Sequence, residues 1–159
     1  MTTPDLNEDF RDLLQCLREA GAEFLIVGAH ALAAHGLPRA TGDLDVLVRA
    51  DAANASRVYR ALAAFGAPLG AHGVAETDFT TPGTVYQIGL PPRRIDILTE
   101  ISGVSFDDAW SSRIELPVLG APLAFLGRDA LIANKRAAGR PKDLADVLAL
   151  EAESGEPRR

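Results

Sequence analysis

The chain has 159 residues, a length that suits one domain and can bury a substantial core. Its 47% hydrophobic residues fit a folded globular protein, and its 24% charged residues are ordinary for one. A net charge of −6 argues against a surface built to coat nucleic acid and favours a small-molecule or protein acceptor, and the lone Cys16 excludes an internal disulfide.

Asp5 to Ala20 reads as an amphipathic helix, with Leu6, Phe10, Leu13, Leu14 and Leu17 on one face and Gly21 at its end. Cys16 sits at the edge of that face and is assigned to packing. Glu23-Phe-Leu-Ile-Val27 is an apolar run that predicts a buried strand over 24–27, stopping at Gly28. The Ala-rich stretch 29–35 predicts a short helix ended by Gly36. A strand, a glycine and a helix start can present backbone N–H groups to a phosphate. Leu37 to Gly42 reads as a loop, in which Arg39 and Thr41 are either loop residues or substrate contacts.

The next predicted strand, 43–48, carries Asp43 and Asp45. A strand repeats every two residues, so both aspartates project to the same face. Two neighbouring carboxylates resist ionising together, and a hard divalent cation relieves the repulsion. The plainer alternative is that Asp43 closes a turn and Asp45 is exposed. Asp51 supplies a cap for a helix over 53–65, with Val58, Leu62 and Phe65 inward. Residues 66–83 read as an irregular stretch, long enough to be functional or mobile.

Strands are expected over 84–89 and 93–99, joined by Leu90-Pro-Pro92. The second alternates, with Ile95 and Ile97 on one face and Arg94, Asp96 and Leu98 on the other. An acidic residue among Ile and Leu must be paired with Arg94 or Arg93, solvated or bound to a metal. If this strand lies beside the Asp43–Asp45 strand, three carboxylates converge, an arrangement suited to two metal ions and in-line phosphoryl or nucleotidyl transfer. Ser105 caps a short helix, strands follow at 114–118 and 121–125, and helices at 128–138 and 141–151 flank Gly139, with Pro141 in a first turn. The only two lysines, Lys135 and Lys142, lie in this last segment with Arg136 and Arg140, as a phosphate-binding cluster or a solvated helix surface. His30, His35 and His72 lack metal-ligand spacing. One domain over 1–152 with a flexible tail at 153–159 is expected. So are a cytoplasmic location and no membrane association, because the start at Thr2–Asp9 is polar and no apolar run approaches the length of a span.

Gly28-Ala29, thirteen residues, Asp43-Leu-Asp45, and then Ile95-Asp96-Ile97 resemble the DNA polymerase β-like nucleotidyltransferase superfamily. The surrounding sequence is most similar to its small bacterial branch of AbiEii-type toxin-like proteins and antibiotic nucleotidyltransferases. Asn134 to Asp146 resembles that branch's K-x-x-x-x-R-x-K-D-x-x-D helix pair, and the likeness spans residues 22–150. Ala29 departs from it, standing where the pattern has Ser or Gly.

The resemblance implies an α/β fold: a small mixed β-sheet with flanking helices and a C-terminal helix pair. It implies transfer of a nucleoside monophosphate from an NTP, ATP foremost, to a hydroxyl-type acceptor, with release of pyrophosphate. Asp43 and Asp45 would hold Mg²⁺ or Mn²⁺. Asp96 would complete a second metal site or act as base. Gly28, Ala29 and His30 would hold the phosphates through backbone N–H groups, and Lys135 would add a charge there. Two other classes share the resemblance: a toxin–antitoxin component that modifies tRNA or a partner protein, and a non-catalytic nucleotide-binding relic.

Overall fold

The computed structural model describes residues 6–38 and 42–154, so Arg39, Thr41 and all but the start of the expected tail lie outside the described residues. The first helix among the described residues is α1 (Glu8–Glu19), whose first turn is closed by the Asn7 side chain accepting from Phe10 N at 2.9 Å. Strand β1 (Phe24–Val27) leads directly into helix α2 (Gly28–Ala34), and strand β2 (Leu44–Val48) follows. Helix α3 (Ala52–Phe65) starts at the Asp51 cap and ends at Gly66, which takes the left-handed conformation. Strands β3 (Val85–Ile88) and β4 (Ile95–Leu98) form a hairpin. Helix α4 (Phe106–Ser111), strands β5 (Ile114–Val118) and β6 (Ala121–Phe125), and helices α5 (Arg128–Ala138) and α6 (Pro141–Ser154) complete the described chain.

The six strands form one mixed sheet in the order β3-β4-β2-β1-β6-β5. β2 runs parallel to β4 and β1 parallel to β6, while β1–β2, β3–β4 and β5–β6 are antiparallel. Strand alternation divides the apolar residues between two cores. Phe24, Ile26, Leu44, Val46, Ile95 and Ile97 pack with α1 and α3 on one face. Leu25, Val27 and Leu47 pack on the other with Leu32 of α2, Ala109 of α4, Leu131 of α5 and Val147 of α6. β1 is apolar on both sides, and β2 is so apart from Asp45, as expected for strands covered by helices on both faces.

The stretch between α3 and β3 is a packed part of the first core. A short 3₁₀ turn at Glu76–Thr80 places Phe79, 0% exposed, in the same apolar cluster as Val58 and Leu62. An isolated Phe in a Gly- and Thr-rich segment carries no periodicity, which is why the sequence reads as a loop there. Among the described residues no helix is long and apolar enough to cross a membrane.

Buried Asn54 of α3 clamps the two strands that enter the site. Its Oδ1 accepts from Glu23 N at 2.7 Å, and its Nδ2 donates to Glu23 O and Arg49 O, each at 2.9 Å. One amide thereby joins the start of β1 to the end of β2. Truncation leaves three backbone groups without these partners. Asn54→Ala is expected to cost about 2–4 kcal/mol in urea unfolding; a loss below about 1 kcal/mol would show that water replaces the clamp.

Candidate active site

The parallel pairing of β2 with β4 sets the geometry of the site. Asp45 stands opposite Asp96 in register, and Leu44 opposite Ile95. One step outward, Leu44 N donates to Arg94 O at 3.0 Å, which brings Arg94 beside Asp43. Alternation then puts Asp43, Asp45, Arg94 and Asp96 on the sheet face that α5 and α6 cover. The expected neighbourhood of the two strands is therefore present, and the register supplies a cation within it.

Arg94 spans two of the three carboxylates. Its Nη2 lies 3.0 Å from Asp43 Oδ2. Its Nε and Nη2 donate to Asp96 Oδ1 and Oδ2 at 3.0 and 3.3 Å. Asp45, partly buried, faces Asp96, and no salt bridge among the described residues gives it a cation of its own. Burial first, then the charge and hydrogen bond of Asp96 and the charge of Asp43, push the Asp45 carboxyl up to about 7, against a smaller opposing pull from Arg94. Among the described residues no three His, Cys, Asp or Glu side chains stand as a ready-made metal cage.

Gly28 is explained by two constraints. Its φ is +68°, a left-handed value that costs a side-chain-bearing residue. A Cβ at this position would also overlap Oδ2 of Asp45. The turn from β1 into α2 thus passes directly against the Asp45 carboxyl, and only a glycine leaves room for it.

Beside Asp45 opens a cavity of about 570 Å³. Its walls include Gly28, Ala29, Leu32 and Leu98 on the sheet side, and Asn134, Lys135, Arg140, Lys142 and Asp146 from the helix pair. Of the sequence-predicted site residues, Gly28, Ala29, Asp45 and Lys135 line this cavity. Asp43 and Asp96 do not; they stand with Arg94 next to Asp45. The His30 ring does not line it either. It packs edge-on against Phe10 at 5.6 Å between centroids, and its titration is lowered by burial.

Lys135 is held in place by carboxylates of α6. Its Nζ lies 3.2 Å from Asp146 Oδ2 and 3.5 Å from Asp143 Oδ1. Asp143 is fully buried and also accepts from Arg140 Nε at 2.6 Å and Arg140 N at 3.2 Å, so it ties Lys135 to the turn between α5 and α6. The Arg140 hydrogen bond chiefly holds the Asp143 carboxyl below its ordinary range. Asp143 and Asp146 fall within the K-x-x-x-x-R-x-K-D-x-x-D segment, and the motif alone does not assign them a role. The available signal was their spacing: i,i+3 on one helix puts both on the face toward α5.

No known family profile matches the chain, and no curated protein sequence does. Among solved structures, the chain is similar to a Thermotoga maritima protein provisionally assigned as a nucleotidyltransferase. The TM-score is 0.55 at 13% identity, over 89% of this chain and 87% of that one. The fold is therefore nucleotidyltransferase-like, a mixed sheet with flanking helices and a C-terminal helix pair.

Two measurements check the geometry. Gly28→Ala is expected to cost about 1–3 kcal/mol for the left-handed backbone alone, and more from the overlap with Asp45. In an Asp45→Ala background the overlap portion should vanish, a coupling that a double-mutant cycle reads directly; strictly additive costs would disprove the contact. The second concerns pH. A carboxyl titrating near 7 in the folded state and near 3.8 when unfolded binds its proton more tightly when folded. Its contribution is complete below about pH 4 and is lost as pH rises through 7. In chelator, stability should fall between about pH 4 and 7, and Asp45→Asn should flatten that slope; an unchanged slope would assign it to another group.

Proposed function

We propose that this protein is a metal-dependent nucleotidyltransferase that moves a nucleoside monophosphate from an NTP, ATP foremost, to a hydroxyl-type acceptor. The observation that carries this reading is the in-register Asp45–Asp96 pair, in which Asp45 packs against Gly28 and lines a cavity with cations on its far wall. The fold likeness supports the same class of chemistry. The residues fit a hard divalent cation. The donors are all carboxylate oxygens, and among the described residues three carboxylates gather around one arginine, Arg94, which leaves an excess of negative charge. Asp43 and Asp45, with Asp96, would hold Mg²⁺ or Mn²⁺. When bound, the ion neutralises charge on the triphosphate and on the departing pyrophosphate.

The chain's own groups do the rest. Lys135 and Arg140 face the triphosphate from the helix pair, and the backbone at Gly28, Ala29 and His30 faces it from the sheet side. Lys135 suits a phosphate oxygen because its ammonium is compact and carries three donors. The acceptor hydroxyl approaches beside Asp96, where Gln87 of β3 is the exposed register neighbour. Its oxygen bonds to the α-phosphorus as the bond to the β-phosphate bridging oxygen breaks. Its proton leaves to Asp96, or to solvent where Asp96 serves as a metal ligand. The acidic charge of the chain favours a small molecule or a protein over a nucleic acid as acceptor. The small bacterial branch with AbiEii-type and antibiotic enzymes, and a cytoplasmic setting, belong to the same proposal.

Mg²⁺ with ATP should raise the melting temperature by mass action. Asp45→Asn should lose most of that shift. Lys135→Ala should weaken NTP binding by about 1.5–3 kcal/mol, the scale of one charged hydrogen bond. A wild-type protein that shows no shift with any NTP and Mg²⁺ or Mn²⁺ would refute the reading.

A further inference from the structure

Arg94 holds two of the three carboxylates that the proposed reaction needs. The register makes Asp43, Arg94, Asp45 and Asp96 a square of four charges on one sheet face. Asp96 accepts through both of its oxygens from one guanidinium, and the same guanidinium reaches Asp43. Those lone pairs are the ones a divalent ion would use. Arg stays charged at every ordinary pH, so it cannot make way by losing a proton. A guanidinium and a dication within a few ångströms of each other, on the same oxygens, repel. Among the described residues, the Arg94 side chain bonds to Asp43 and Asp96, and it is 31% exposed. It therefore has both a reason and a path to swing outward.

We propose that Arg94 is an internal counter-ion that occupies the Asp43–Asp96 side of the site, and that a divalent cation must displace it to bind there. Arg94 then sets the metal affinity of the protein and keeps the metal-free carboxylates from repelling one another. It acts on the chemistry only through those carboxylates, as a positioning residue. The inference rests on the nucleotidyltransferase reading for the identity of the incoming ion.

The test is direct binding of Mn²⁺ alone, without nucleotide, by calorimetry and by the paramagnetic signal of the free ion. It compares wild type, Arg94→Gln, Arg94→Ala and Arg94→Lys, each first shown to be folded by circular dichroism. Removing the competing cation should tighten Mn²⁺ binding at least tenfold in Arg94→Gln and Arg94→Ala, while Arg94→Lys, which keeps the charge, should stay near wild type. In chelator the two neutral variants should melt below wild type, and Mn²⁺ should raise their melting temperature by more than it raises that of wild type. An arginine that only braces the strands would lower stability without tightening metal binding. Equal or weaker affinity in the neutral variants overturns the Arg94 proposal and leaves the metal reading standing. Absence of Mn²⁺ binding in all four proteins overturns both.

Discussion

The site depends on a like-charge apposition that the sheet itself imposes. Parallel pairing of β2 with β4 sets Asp45 against Asp96 at one register step, and the backbone ladder gives neither side chain freedom to leave that face. Like charges directly opposite each other on adjacent strands are destabilising. Neighbouring features answer that cost in part. Arg94 pairs with both Asp96 and Asp43, and burial with the neighbouring carboxylates pushes the Asp45 carboxyl up to about 7. Gly28, lacking a side chain, lets β1 turn into α2 without pushing the Asp45 carboxyl out of the sheet face.

The second half of the cavity comes from the end of the chain. The α5–α6 pair presents Lys135, Arg140 and Lys142 toward Asp45 across a shared space. Lys135 alone would be a flexible side chain with several rotamers to lose. Its two carboxylate partners on α6 remove much of that freedom, and Asp143 is buried enough for the tether to matter more than a surface ion pair. The tether also links the cavity wall to the Gly139 turn, because Asp143 holds both Arg140 side chain and Arg140 N. Asp45 on the sheet and the cations Lys135, Arg140 and Lys142 of the helix pair thus line one cavity from opposite sides, with Asp146 beside the cations.

The likeness at 13% identity shows that the fold tolerates wide divergence in sequence. In this chain two aspartate-bearing parallel strands, a glycine at a strand-to-helix turn and a closing helix pair occupy a few positions of that fold. The apolar residues between them need only keep their alternation. Fold likeness at that level carries the architecture, and the chemistry is argued from the side chains of this chain.

The sequence by itself determined the elements and which residues share a face. Alternation in 43–48 and 93–99 put Asp43 with Asp45 and Arg94 with Asp96, and strands β1, β5 and β6 and helix α5 fall where periodicity and turn residues place them. These are local properties, set by side-chain period and backbone propensity within a few residues. Phe79 was not legible, because a lone aromatic in an aperiodic stretch is buried only once α3 and the sheet exist to cover it. The His30 ring turns toward Phe10 for the same reason: its partner lies twenty residues earlier on another helix. Register was decided only by the tertiary structure. Whether Asp45 meets Asp96 or slides one step, and whether Arg94 lands beside Asp43, follows from how β4 docks against β2 after an intervening helix, loop and hairpin. Sequence spacing fixes parity along each strand, and only the hydrogen-bond ladder between strands fixes which residues stand opposite.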